Sequence, residues 1–155
     1  MDLLRISWDV AVEYCEQLAR KIDFKPDVIV GISRGGLVPA RILSDMLDNK
    51  NLAILGIIFY KKVGERTESP QITQDLTKDI KGKKVLVVDD VSDTGKSLIV
   101  AKDYITNKGA SEIKVATLHY KPHSKLKPDY YIRTTDAWIV YPWERHEVER
   151  ELKKK

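Results

Sequence analysis

Apolar and polar positions along the chain predict alternating strands and helices. Apolar runs at 27–33, 52–60, 84–90 and 112–120 are typical of strands that are buried on both faces. Between them, apolar residues at three- and four-residue spacing predict helices over 8–22, over 37–47 and from about 94–97 to 107, with Ser7 as the N-cap of the first. This alternation predicts a single α/β domain over 1–155, with a mainly parallel central sheet flanked by helices.

Two stretches depart from that alternation. The segment 61–81 is polar, and connections of that length are uncommon unless they serve as lids or binding loops, or are disordered. After Pro122 the chain is rich in tyrosine, tryptophan and proline and shows no helical period. We expect this tail to cover a site or an edge strand.

Composition and charge narrow the class of protein. The 155 residues are 43% hydrophobic, and the net charge of +4 comes largely from the three lysines at 153–155, so no basic stripe indicates a nucleic-acid partner. The one cysteine, Cys15, cannot form an internal disulfide, and the three histidines show no metal-ligand spacing. No apolar run approaches the roughly 18 residues of a membrane span. We therefore expect a cytoplasmic protein with neither a nucleic-acid nor a membrane partner.

The stretch VLVVDDVSDTGKS, residues 85–97, carries the strongest chemical signal. A buried strand ends on Asp89 and Asp90, and in parallel sheets ligands bind beyond the carboxyl ends of strands. The loop that follows opens a helix, whose free N–H groups and dipole favour a phosphate. Adjacent carboxylates suit ribose hydroxyls and a Mg²⁺ ion with its waters. The combination indicates a sugar phosphate.

Three other interpretations fit this stretch less well. A Walker A loop needs glycine five residues before Gly95, where this chain has Asp90. A response-regulator receiver also ends its first strand on an acidic pair, but only 65 residues follow Asp90, too few for the rest of that domain. An ordinary strand-to-helix turn with Asp93 as N-cap is the third, and it leaves two buried carboxylates without a purpose.

The stretch resembles the phosphoribosyl pyrophosphate signature of type I phosphoribosyltransferases. Three more stretches, GISRGGLVPARIL (31–43), YKPHSKLKPDYYI (120–132) and WIVYPWE (138–144), are similar in order and spacing to the 6-oxopurine branch, which acts on hypoxanthine, guanine or xanthine. The resemblance implies the type I phosphoribosyltransferase fold, with a lid loop and a small C-terminal base-binding hood. It also implies purine salvage: transfer of the phosphoribosyl group to a purine base, with release of pyrophosphate.

The resemblance assigns roles to the first two loops. Asp89 and Asp90 would hold the ribose hydroxyls and Mg²⁺, the ion partly through water. The 5-phosphate would lie on Asp93, Thr94, Gly95, Lys96 and Ser97. Asp93 would also accept a proton from the purine imidazole ring. Pyrophosphate would bind Ser33, Arg34, Gly35 and Gly36, with Arg34 as a catalytic cation and a cis peptide between Ser33 and Arg34.

The purine would be recognised by the region 121–145. Lys121 would donate to the 6-oxo group, Trp138 would stack on the ring, and the backbone of Ile139 would read the ring edge. Val140 stands where bacterial xanthine-guanine enzymes carry an acidic residue, which leaves the choice of purine open, with Glu144 as a possible substitute.

The resemblance also implies a lid and an assembly. The lid would be the segment 61–81, with Tyr60, Lys61 and Lys62 at its base, and the protein would be a homodimer or a higher homo-oligomer. Two alternatives remain: a non-catalytic sensor of phosphoribosyl pyrophosphate, and an enzyme that acts on adenine or a pyrimidine.

Overall fold

The computed structural model describes residues 2–61, 63–64 and 67–154. The helices are α1 (Trp8–Lys21), α2 (Leu37–Met46), α3 (Lys96–Asn107) and α4 (Arg145–Lys153). The strands are β1 (Leu3–Arg5), β2 (Val28–Ser33), β3 (Leu52–Tyr60), β4 (Ser69–Gln74), β5 (Lys84–Ser92), β6 (Glu112–Tyr120), β7 (Arg133–Thr134) and β8 (Trp138–Val140). The α/β class is confirmed, and Ser7 caps α1 as predicted, since its hydroxyl accepts a hydrogen bond from the N–H of Val10 at 3.2 Å.

The main sheet has the strand order β4-β3-β2-β5-β6-β7. Its neighbouring strands run parallel except for β3 and β4, which are antiparallel. From β2 the chain moves outward to β3 and β4, and then returns to place β5 on the other side of β2. The strand order therefore reverses between β2 and β5, the position at which open α/β sheets bind their ligands.

Both faces of this sheet are buried. Residues of α1 and α2 pack on one face, where Leu18 and Leu43 contact a cluster that includes Leu86 and Leu118. The other face is covered by α3, with Leu98 and Ile105 in the second cluster. Strands covered on both sides need apolar residues at successive positions, which explains the continuous runs in the sequence.

The segment 61–81 differs from the prediction, because it contains β4. This strand pairs with the end of β3, from Tyr60 opposite Ser69 to Gly56 opposite Gln74. β4 lies at the sheet edge and buries little of its surface, so its sequence carries no apolar run. Pro70 fits there, because an edge strand needs hydrogen bonds on one side only.

The tail after Pro122 also contains more regular structure than its pattern indicates. β8 pairs in parallel with β1, with Leu3 opposite Trp138 and Arg5 opposite Val140. The chain then forms α4, in which Val148 is the buried residue. A helix with one buried side chain has no apolar stripe, which is why the sequence does not reveal it. No helix in the described ranges is both long and apolar enough to cross a membrane.

Candidate active site

Two turns meet at the carboxyl edge of the sheet. One follows β2 and leads into α2, with Gly36 at the N-cap, and the Ser33–Arg34 peptide bond within it is cis, as the resemblance implies. The other follows β5 and leads into α3, with Gly95 at the N-cap. Because β2 and β5 are paired neighbours, the two turns lie side by side. Asp93 does not cap α3, so the interpretation of it as an N-cap is wrong.

Glycine is required where the first turn approaches β5. A Cβ atom on Gly36 would collide with the carbonyl oxygen of Val88, and one on Gly35 would lie 2.5 Å from Oδ2 of Asp90. Contacts that close essentially never occur with real Cβ atoms, so the backbone oxygen of Val88 excludes a side chain at Gly36, and a side chain at Gly35 would have to displace the carboxylate of Asp90. The absence of side chains brings the backbone of the first turn directly against the carboxylate of Asp90.

The second turn borders a cavity of about 180 Å³. Gly95 has a φ of +86°, in the left-handed region that favours glycine. The cavity is lined by Phe59, Asp89, Asp90, Val91, Ser92, Asp93, Thr94, Gly95, Ser97 and Leu98. The structure thus brings together the residues predicted for ribose and 5-phosphate, except that Lys96 lines a neighbouring cavity with Thr94 and Phe59. Phe59 was not predicted, and its position at the end of an apolar strand gave no signal.

Three carboxyl groups crowd this edge. Asp90 is only 7% exposed, and burial raises its pKa, although the indole N–H of Trp143 donates to its Oδ2 at 3.2 Å and acts against that rise. Burial and the carboxylate of Asp90 raise the pKa of Asp89 well above its usual range. Glu144 has its pKa raised to about 7, first by burial and then by Asp90. The cluster is therefore short of positive charge.

The donor set fits a magnesium ion that arrives with a phosphate ligand. Mg²⁺ prefers oxygen ligands and is often bound by one or two carboxylates together with substrate phosphates. Asp89 and Asp90 are such carboxylates. In the part of the chain that the structure describes, no group of three or more His, Cys, Asp or Glu residues is arranged to hold a metal ion by itself.

A second cavity, of about 200 Å³, lies beside the first. It is lined by Asp90, Val91, Asp93, Lys121, Trp138, Ile139, Tyr141 and Glu144. The three residues predicted for base binding are thus brought together with Asp93. Nζ of Lys121 lies 3.5 Å from Oδ2 of Asp93, and Lys121 is only 8% exposed. Val140 is buried and is not part of this lining, whereas Glu144 is.

Arg34 borders a third cavity, of about 350 Å³, next to the first turn. Its Nη2 donates to both carboxylate oxygens of Glu147, at 2.9 and 2.8 Å. Glu147 lies on α4, so this partner of Arg34 was not predicted from the sequence. Trp143 and Glu144 line the same cavity, and Glu144 also reaches the second one.

Two buried side chains, those of Tyr141 and His119, form a series of hydrogen bonds that ends at the backbone of Asp90. The hydroxyl of Tyr141 donates to the backbone carbonyl of Asp90 at 2.9 Å and lies 2.8 Å from Nδ1 of His119. Because the hydroxyl proton is used on the carbonyl, Nδ1 of His119 carries a hydrogen and donates to Tyr141. Nε2 of His119 is buried with no hydrogen-bond partner among the described residues. Neither side chain was predicted for the site, although Tyr141 lies within the WIVYPWE motif.

The structure describes two of the three residues that were predicted for the base of the lid. Tyr60 ends β3 with 51% of its surface exposed, and Lys61 follows it as an exposed residue. Lys62 lies outside the described residues.

The chain is similar to known proteins over most of its length. The family model described as "Phosphoribosyl transferase domain" matches residues 5–150. The hypoxanthine-guanine phosphoribosyltransferase of Schizosaccharomyces pombe is 31% identical, over 96% of this chain and 93% of its own length. A xanthine-guanine phosphoribosyltransferase of Idiomarina loihiensis is 29% identical, over 91% of this chain and 86% of its own.

The crystal structure of a purine phosphoribosyltransferase from Pyrococcus horikoshii is similar as well. It covers 92% of this chain and 94% of its own, with 44% identity and a TM-score of 0.85. The matched family model spans nearly the whole chain, including both turns and the second cavity. The chain belongs to the phosphoribosyltransferase family.

Proposed function

We propose that the protein is a purine salvage enzyme that transfers the 5-phosphoribosyl group from phosphoribosyl pyrophosphate to a 6-oxopurine. The products are the nucleoside monophosphate and pyrophosphate. The observation that carries this proposal is that Asp90, Val91 and Asp93 line both the first and the second cavity. A sugar phosphate in the first cavity and a base in the second would meet at these residues, where the new bond forms.

The first two turns would position the sugar. The 5-phosphate would lie at the start of α3 on residues 93–97, where free N–H groups favour an anion. Asp89 and Asp90 would accept hydrogen bonds from the ribose hydroxyls. When bound to these two carboxylates, partly through water, Mg²⁺ would supply positive charge to the departing pyrophosphate.

Residues 33–36 would bind that pyrophosphate. Gly35 and Gly36 leave the backbone of the turn open to it, and Arg34 adds a cation. In the structure the guanidinium of Arg34 is held by Glu147, so pyrophosphate would share or replace that carboxylate. The pair is exposed, with 78% of the Arg34 side chain accessible, so the exchange costs little.

The second cavity would hold the purine. Lys121 would donate to the 6-oxo group, Trp138 would stack on the ring and the backbone of Ile139 would contact its edge. The ring nitrogen forms its bond to the anomeric carbon as the bond from that carbon to pyrophosphate breaks. The imidazole proton goes to Asp93.

Water exclusion and assembly complete the proposal. We assign 61–81 as a lid, with Tyr60, Lys61 and Lys62 at its base, because a sugar cation that meets water is hydrolysed. The chain would act as one domain, with 121–145 as its base-recognition region. A cytoplasmic homodimer or higher homo-oligomer is our expectation for its working state.

The test is pyrophosphate release from phosphoribosyl pyrophosphate and Mg²⁺, with hypoxanthine, guanine, xanthine, adenine, uracil and orotate offered in parallel. We expect release with at least one of the three 6-oxopurines. Release only with adenine or a pyrimidine would contradict the proposed base site. No release with any base, alongside measurable sugar-phosphate binding, would identify a sensor instead.

Replacing Lys121 by alanine should change the choice of base. An ammonium group donates to a 6-oxo group and cannot accept from the 6-amino group of adenine. We expect kcat/KM for the best 6-oxopurine to fall about 10- to 100-fold, the effect of one buried charged hydrogen bond, and its ratio to adenine to fall with it. Lys127→Ala, an exposed lysine of the same region, is the control. An unchanged base preference in Lys121→Ala would remove Lys121 from base recognition.

A further inference from the structure

The segment 121–126 is fastened to the turn that follows β5. The N–H of Lys121 donates to the carbonyl of Ser92 at 3.0 Å, and the N–H of Lys125 donates to that of Thr94, also at 3.0 Å. The hydroxyl of Ser92 donates to the carbonyl of Leu126 at 2.7 Å. These bonds bracket Asp93 on both sides in sequence. The segment is thus held at a set distance from the Asp93 side chain.

Two side chains of this segment contact the carboxylate of Asp93. Nε2 of His123 lies 2.9 Å from Oδ1, and Nζ of Lys121 lies 3.5 Å from Oδ2. A carboxylate oxygen only accepts, so the hydrogen of the shorter contact is on Nε2 of His123. Oδ1 of Asp93 therefore accepts a hydrogen bond from His123, and Oδ2 forms an ion pair with Lys121 of the same segment.

His123 lies outside the second cavity. Asp93 and Lys121 belong to the lining of that cavity, and His123 does not. More than half of the His123 side chain is exposed. The contact between the imidazole and the lining of this cavity is its hydrogen bond to Asp93.

We propose that His123 is a positioning residue that fixes the orientation of the Asp93 carboxylate. Half of the Asp93 side chain is exposed, so without a partner at Oδ1 the carboxylate can rotate. It would then pair more closely with the ammonium of Lys121, which lies 3.5 Å away, and would compete with the base for that donor. With His123 bonded to Oδ1, Asp93 stays aligned as proton acceptor and Lys121 stays available. This inference rests on the proposed function, in which Asp93 and Lys121 contact the base.

The experiment compares His123→Leu with His123→Gln. The leucine variant loses the hydrogen bond, whereas the terminal amide of glutamine can place an N–H close to the position of Nε2. We expect His123→Leu to lower kcat about tenfold, within the range for a misaligned proton acceptor, with KM for phosphoribosyl pyrophosphate changed less than twofold. His123→Gln should recover most of kcat. His146→Leu, an exposed histidine of α4, is the matched control and should behave as the wild type.

A double-mutant cycle with Asp93→Asn separates positioning from a general structural effect. If His123 acts through the Asp93 carboxylate, His123→Leu should cause little further loss in the Asp93→Asn background. An unaltered kcat in His123→Leu, equal losses in the leucine and glutamine variants, or the full tenfold loss in the Asp93→Asn background would each overturn the inference. The wild type is assayed beside them: if it releases no pyrophosphate with any base, the proposed function itself fails and this inference with it.

Discussion

Replacing Asp90 by asparagine is expected to make the free protein more stable while removing most of its activity. Asp90 is almost fully buried beside Asp89, and the two carboxyl groups contact each other. Burial of both charges, without a cation, disfavours the folded state. Asparagine keeps the shape, its oxygen can accept from the indole of Trp143, and its NH₂ group can donate to Asp89.

The gain should be about 1 to 2 kcal/mol in the free energy of unfolding at pH 7.5, measured in urea without Mg²⁺. The linkage between proton binding and folding determines how this gain changes with pH. A carboxyl group whose folded pKa is raised stabilises the fold when protonated, and that contribution is lost as the pH rises through the folded pKa. The advantage of asparagine should therefore shrink as the pH falls and vanish below about pH 3, where the aspartate is protonated in both states.

The activity of Asp90→Asn should fall about 100- to 1000-fold in kcat, the loss typical of removing one charged group that stabilises a transition state. Pyrophosphate release measures it. Asp103→Asn, an exposed aspartate of α3, is the control and should change neither stability nor activity. A variant that is less stable than the wild type at pH 7.5, or that keeps its turnover, would contradict the role given to Asp90.

The pattern of apolar residues predicted the strands that have a neighbouring strand on each side in the main sheet. β3 and β6 have the predicted limits. Most of β6 and the first six residues of β3 are buried or half-buried, which requires apolar residues at successive positions, and the exposed end of β3 continues the apolar run. The sequence pattern did not predict β4, because an edge strand can be polar. It did not predict α4 either, because Val148 is the one buried residue of that helix. Both are stabilised by contacts that a local pattern does not encode.

The site shows the same difference between features that a local sequence pattern reveals and features that depend on contacts between distant residues. Residues 33–36 and 93–97 each lie in one turn before a helix, so each forms a contiguous motif that the sequence shows directly. The ligand-binding roles given to them stay predictions. Glu147 and His123 meet their partners only through the fold, at separations of 113 and 30 residues. The residue types alone do not indicate such pairs, since exposed glutamates and histidines are ordinary on any protein surface.

Acidification should weaken the fold through His119. This side chain is 1% exposed, donates from Nδ1 to Tyr141 and has no partner for Nε2 among the described residues. Burial lowers its pKa to about 4, with further lowering from the charges of Arg133 and Lys121. The imidazole is therefore neutral in the folded protein at pH 7, and protonating it would place an unpaired charge in the core.

The linkage between proton binding and folding also determines how the contribution of His119 to stability changes with pH. The unfolded chain takes up a proton near pH 6.5, the ordinary histidine pKa, whereas the folded chain does so only near pH 4. The contribution of His119 is present above pH 6.5 and is lost as the pH falls toward 4. The loss between pH 7 and 4.5 amounts to about 2 to 3 kcal/mol. Asp89, Asp90 and Glu144 act in the opposite direction, because their folded pKa values are raised.

A variant isolates the histidine from these carboxyl groups. In His119→Asn the side-chain amide can still donate to Tyr141 but cannot be protonated in this range. The variant should be less stable than the wild type at pH 7, by about 1 to 3 kcal/mol for the lost volume, and the gap should close as the pH falls to 4.5. His146→Asn, at an exposed position of α4, is the control. Urea unfolding at several pH values measures both. The carboxyl groups are present in both proteins, so their contributions cancel in the difference between variant and wild type. If the difference in the free energy of unfolding for His119→Asn did not change with pH, His119 would not be a buried neutral group.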